Sequence, residues 1–113
     1  MTDHPSSTEI TDHPSGTPRY KTPEGNVYVT VAQDPIWIGV ACGKHGTSAF
    51  VLGDRLGAVC GMALRSGVPP QKLIECLVET KHERSSRERG QNGHTAYSIP
   101  DAIGLALRQE LHL

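Results

Sequence analysis

The chain has 113 residues, a formal net charge of −1, and 20% charged against 36% hydrophobic residues. That length allows one small domain, and the near-neutral charge supplies no long-range attraction to DNA or to a membrane surface. No apolar run at the N-terminus reads as a signal peptide, and no stretch is long and apolar enough for a membrane helix.

Residues 1–25 are rich in Pro, Ser, Thr, Asp and Gly, and TDHPS occurs twice, at Thr2–Ser6 and Thr11–Ser15. Such a segment buries too little apolar surface to order itself, so it is expected to be a disordered tail. Tyr20 and Pro23 are where contact with the body is expected to begin. The domain proper is expected over 26–113.

In Asn26–Gln33 the valines Val27, Val29 and Val31 alternate with polar or aromatic neighbours, the period of a strand. Asp34-Pro35 reads as a turn. Ile36–Cys42 alternates again, with Ile36, Ile38, Val40 and Cys42 on one face and Trp37, Gly39 and Ala41 on the other. A lone hairpin is unstable in water, so helices or another strand must cover it. Trp37 lies opposite the aliphatic face, where it packs on a partner subunit or stacks on a base.

The loop Gly43-Lys44-His45-Gly46-Thr47-Ser48 follows, and then a helix that stops at Gly67. Thr47 or Ser48 can cap the helix, and its free N–H groups together with Lys44 favour an anion. An ordinary strand-to-helix connection has the same appearance. The order is not that of a nucleotide-hydrolysing P-loop. Gly53, Gly57 and Gly61 recur every fourth residue and form a smooth ridge. Three glycines cost about 2–3 kcal/mol of helix propensity, which a close backbone approach within or between chains must offset. Leu52, Leu56, Val59 and Ala63 line a neighbouring face expected to enter a core.

Val68-Pro69-Pro70 opens a second helix, with Leu73, Ile74, Leu77 and Val78 as its apolar face, running to about Thr80. The stretch 81–96 is polar and locally basic. It is either a solvated charged loop or a lid whose arginines and Asn92 close over a phosphate or a base edge. Ser98-Ile99-Pro100-Asp101 has the layout of a capping box and starts a third helix to the C-terminus. The order β-β-α-α-loop-α gives an α+β fold, an antiparallel hairpin or small sheet packed on about three helices. A core this small, the ridge and the bare hairpin all point to a homo-oligomer. Cys42, Cys60 and Cys76 have no CxxC spacing, so they read as reduced packing residues of a cytoplasmic protein, with no metal site. His45, His82 and His94 with Asp54 or Glu83 could form an acid–base set, but no motif fixes their geometry.

VYVTV, the GK-x-G-T-S loop, LGDRLGAVCGMALRSGVPPQKLIECL and SIPDAIGLAL together resemble the TSCPD domain over about residues 26–111. That domain ends cobalamin-dependent ribonucleotide reductases and also occurs as small free-standing proteins. The family's eponymous cysteine is Ile99 here, and KHERSS stands where another cysteine often follows the second helix. Thiol redox and metal roles of those cysteines are therefore lost. A free-standing version resembles phage Thoeris anti-defence sponges. The resemblance implies a non-enzymatic homo-oligomer, a dimer or a larger assembly such as a hexamer, in the cytoplasm of an infected bacterial host. Its ligand is a cyclic ADP-ribose-type or cyclic oligonucleotide signal, with no catalytic residue and no cofactor. It raises both polar loops to ligand contacts: Gly43, Lys44, His45, Gly46, Thr47 and Ser48 from the first, and Arg84, Arg87, Arg89, Asn92, His94, Thr95 and Tyr97 from the second. Tyr97, Trp37 and Tyr28 are the rings available for stacking. An accessory or regulatory domain for a ribonucleotide reductase is the alternative, and a nucleotide-processing enzyme the remaining one.

Overall fold

A computed structural model describes residues 17–44, 46–81 and 95–113. Three antiparallel strands, β1 (Arg19–Thr22), β2 (Gly25–Ala32) and β3 (Trp37–Cys42), form one sheet in chain order. Three helices follow: α1 (Ser48–Arg65), α2 (Pro70–Leu77) and α3 (Ile99–Glu110). This is the α+β fold the sequence predicts. No helix of the described residues is long and apolar enough to cross a membrane.

The hairpin forms as the alternation requires. Val27 pairs with Cys42, Val29 with Val40 and Val31 with Ile38, and the side chains of Val27, Val29, Ile38, Val40 and Cys42 are buried. α1 lies on β3, α3 lies on β2, and α2 packs on α3. The apolar sheet face thus meets Ile74, Ile99, Ile103, Ala106 and Leu107 in one core.

The first correction concerns the tail. The expected boundary at residue 25 is too late, because Arg19–Thr22 pairs with β2 from Arg19↔Tyr28 to Thr22↔Gly25. Tyr20 is buried in the core. The turn is closed by Thr22, whose Oγ1 accepts from the Glu24 N–H at 3.0 Å and donates to the Gly25 carbonyl at 2.8 Å. A four-residue strand with one apolar side chain has too short a pattern to read as a strand. Residues 1–16 of the tail lie outside the described residues.

The second correction concerns α1. Its glycine ridge seats on the chain's own sheet, so no second chain is needed to explain it. A Cβ at Gly57 would fall 2.8 Å from Val40 Cγ2 and 3.2 Å from the Ile38 carbonyl oxygen, and one at Gly53 3.2 Å from Val40 Cγ1. With that face turned inward, Leu52 and Val59 point to solvent instead of entering a core. Arg65 Nη1 donates to the Ile36 carbonyl at 2.9 Å and ties the helix end to the β2–β3 turn.

Cys42 and Cys60 are buried and Cys76 is exposed. Burial, and then the Glu24 carboxylate, push the Cys42 thiol up to about 11; burial also raises Cys60. A thiol reagent on the native protein should therefore modify Cys76 quickly and the other two only after denaturation. The unfolded Cys42 thiol ionises near its ordinary value of 9.0, while the folded one stays protonated to about 11. The contribution of keeping it neutral is complete below pH 9 and is lost as the pH rises to 11, at about 1.4 kcal/mol per pH step. Denaturant midpoints that stay level across that window would contradict the burial of this thiol.

Candidate functional site

The outer sheet face, away from the helices, carries a concavity of about 260 Å³ at the end where β3 leaves for α1. Tyr28 and Ala41, paired across β2 and β3, form part of its wall. Glu24 of the β1–β2 turn, with Gly25 and Asn26 at the start of β2, supplies one rim, and Gly43 and Lys44 the other. Gly43 has φ +70°, a conformation side-chain-bearing residues rarely adopt, and this bends the chain so that Lys44 rims the hollow.

Local bonding holds the second rim. The Thr47 N–H donates to the Lys44 carbonyl at 3.2 Å, and Thr47 Oγ1 donates to the same oxygen at 2.8 Å. The same hydroxyl accepts from the Phe50 N–H at 3.2 Å and caps α1, as expected for Thr47 or Ser48. The chemistry gathered is a lysine ammonium, a tyrosine ring, an asparagine amide and a carboxylate. A cation and a planar ring beside polar groups suit a ligand that is part anion and part flat heterocycle.

Of the expected contacts, Gly43 and Lys44 line this concavity. Gly46, Thr47 and Ser48 are exposed and do not line it, and the Thr47 hydroxyl is engaged by its own turn. His45, Arg84, Arg87, Arg89, Asn92 and His94 lie outside the described residues. Thr95 sits beside β1 in a parallel bridge with Lys21, and the Ala96 N–H donates to the Lys21 carbonyl at 2.8 Å. Lys21 pairs in turn with Asn26, so Thr95 stands at the same end of the sheet, about two strand spacings or 10 Å from the Asn26 rim. Tyr97 is half-buried with Lys81 Nζ 5.0 Å from its ring centroid and does not line the hollow. Trp37 lies at the other end of the hairpin, its ring over Gly39. Tyr28 is therefore the aromatic that shares a hollow with Lys44. Glu24 and Asn26 were missed by sequence reasoning; the only signal was their place in the turn and at the strand start that the unrecognised β1 defines.

Among the described residues no group of three or more His, Cys, Asp or Glu side chains is placed to hold a metal ion. No match is found among curated proteins or among solved structures. The family model for the TSCPD domain matches residues 5–111, and with nearly its whole length covered the chain belongs to the TSCPD domain family.

Proposed function

We propose that the protein binds an anionic cyclic nucleotide, of the cyclic ADP-ribose or cyclic oligonucleotide type, and sequesters it unchanged as a phage anti-defence sponge. In this reading it works as a homo-oligomer in the cytoplasm of an infected host. The observation that carries the reading is the pairing of Lys44 with Tyr28 in one concavity. Lys44 serves the phosphate, the Tyr28 ring serves the base, and Asn26 and Glu24 serve its hydrogen-bonding edge.

The size of the hollow bears on the ligand. At about 260 Å³ it is just below the roughly 300–1,000 Å³ of ordinary small-molecule sites, so it holds only part of a cyclic dinucleotide. The remainder must meet a second surface. Candidates are the Arg84–His94 residues, whose flanking Thr95 lies at this end of the sheet, or a neighbouring copy. Family membership alone would equally suit an accessory domain of a ribonucleotide reductase; a hollow with a cation and a ring favours the small molecule.

The test is incubation with a panel of cyclic nucleotides, removal of unbound material, heat denaturation, and analysis of what is released. An intact nucleotide is the expected product; a cleaved one would mean an enzyme. Lys44→Ala should weaken binding by about 1.5–3 kcal/mol, roughly ten- to a hundredfold, and Tyr28→Ala by about 1–3 kcal/mol. Calorimetry on each variant, with circular dichroism as the folding check, decides. If both bind as tightly as the native chain, the concavity is not the site.

A further inference from the structure

With Tyr20, Val29 and Val40 turned to the core, the alternate strand positions face outward. Across the strands they form rows: Lys21 with Asn26, Arg19 with Tyr28 and Ala41, and Thr30 with Gly39. Successive rows are about 7 Å apart. Trp37 stands one row further, but its indole reaches back. A Cβ at Gly39 would fall 2.5 Å from Trp37 Cη2 and 2.8 Å from Cζ3, so the far edge of the ring rests over Gly39. Gly39 is not among the glycines with positive φ; what it supplies is room for the ring. The backbone beneath is held by α1. A Cβ at Gly61 would lie 3.5 Å from the Ile38 nitrogen and 3.9 Å from Trp37 Cα, and Arg65 holds the adjoining Ile36 carbonyl. The indole, 53% exposed, is thus an open ring on a fixed base.

We propose that this indole is a second base-stacking subsite, so that the ligand of this face carries two bases joined through phosphate, as a cyclic dinucleotide does, and not the single base of cyclic ADP-ribose. The subsite rests on the reading of the hollow as a nucleotide site. The order of residues along the face leads to it. Asn26, Tyr28 and Ala41 line the hollow, whereas Thr30, Gly39 and Trp37 do not. A base held there lies on the Lys44 side of Tyr28, and the indole lies one row beyond Tyr28 on the other side. One base leaves the indole uncovered; a second base, one phosphodiester along, reaches it.

The floor and the charge of the face suit such a ligand. Between the two rings stand Thr30, Gly39 and Ala41, none large enough to block a flat group. The outward strand positions carry Arg19 and Lys21 and no acid. Lys44 adds a third cation on the rim of the hollow, and Glu24 one acid there. Arg19 is paired with Tyr28, level with the linkage between the two bases, where a guanidinium suits a phosphate. Sheets that bind linked bases divide the work in the same way: rings on adjacent strands take successive bases, and cations follow the phosphates.

Trp37 is the one tryptophan of the chain, so tryptophan emission reports on this subsite alone. The full chain is titrated with cyclic diadenylate, cyclic diguanylate and the mixed cyclic dinucleotide, and separately with cyclic ADP-ribose. A cyclic dinucleotide should bind and quench the indole, and cyclic ADP-ribose should leave its emission near the free value. Trp37→Ala should weaken the dinucleotide about five- to a hundredfold and leave cyclic ADP-ribose within about twofold. Gly39→Ala keeps the ring but lifts it from its seat, and should weaken the dinucleotide in the same direction with an unchanged circular dichroism spectrum. Should Trp37→Ala misfold, the emission of the native chain and the Gly39→Ala variant decide. A dinucleotide that binds without quenching, or that binds both variants as tightly as the native chain, overturns the second subsite. A preference for cyclic ADP-ribose over every dinucleotide does the same. In either case the hollow stands if Lys44→Ala and Tyr28→Ala still weaken binding. Failure of every ligand to bind overturns both.

Discussion

Asp101→Ala should lower the thermal midpoint on the order of 10–30 °C. The carboxylate is fully buried at the start of α3 and accepts from the Glu79 N–H at 2.6 Å and the Tyr97 N–H at 2.9 Å. Ser98 works beside it: its Oγ accepts from the Asp101 N–H at 3.2 Å and donates to the Thr80 carbonyl. Residues on both sides of the 82–94 segment are thus fastened to one helix end. The motif departs from the expected capping box: Ser98 caps Asp101 as expected, but the acid accepts from the Tyr97 N–H, one residue before the cap, and reaches across to the end of α2. The positive end of the α3 dipole favours the charge. Alanine withdraws the acceptor from two backbone N–H groups, at about 1–3 kcal/mol each, and a domain of this size loses about 4–8 °C per kcal/mol. Asp101→Asn keeps the volume and one acceptor oxygen, so it should lose less. A midpoint within a few degrees of the native value for Asp101→Ala would show that this carboxylate does not hold the fold together.

The parts of this fold that were legible in the sequence are those with a repeating apolar signal. Val27/Val29 and Ile38/Val40 alternate, and both strands are where the alternation puts them. The Thr47 and Ser98 caps announce α1 and α3 through hydroxyls at the right offsets. β1 has one core residue, Tyr20, between polar neighbours, so its pattern cannot be told from tail. The facing of α1 was misread because glycine burial leaves no hydrophobic trace: the strongest aliphatic positions lie on the side that the sheet does not use. Gly104 carried no signal either, yet a Cβ there would lie 2.7 Å from Val78 Cγ1, so α2 and α3 pack closely over it. At the candidate site, Lys44 was legible from its loop. Glu24, Asn26 and the choice of Tyr28 over Trp37 depend on strand register and ring position, which no local pattern encodes.

Gly57→Leu should cost about 3 kcal/mol or more, and the loss should appear in folding itself and not merely in assembly. The Cβ alone would sit 2.8 Å from Val40 Cγ2 and 3.2 Å from the Ile38 carbonyl oxygen, and that oxygen belongs to a paired strand that cannot withdraw. The remaining leucine atoms must force α1 off β3, and overpacking of this kind costs about 1–3 kcal/mol even where some relaxation is open. Gly53→Ala is the internal control. Its Cβ meets only the Val40 Cγ1 methyl at 3.2 Å and Ile99 Cγ2 at 3.7 Å. The gain of about 1 kcal/mol in helix propensity should roughly offset that tightness. The two variants therefore separate backbone proximity from propensity: one unfolds early in urea and the other unfolds close to the native midpoint. Val59→Glu, on the opposite face of the same helix, should leave the urea midpoint of the isolated chain unchanged. If Gly57→Leu is as stable as Gly53→Ala, the ridge does not seat on β3 and α1 is turned some other way.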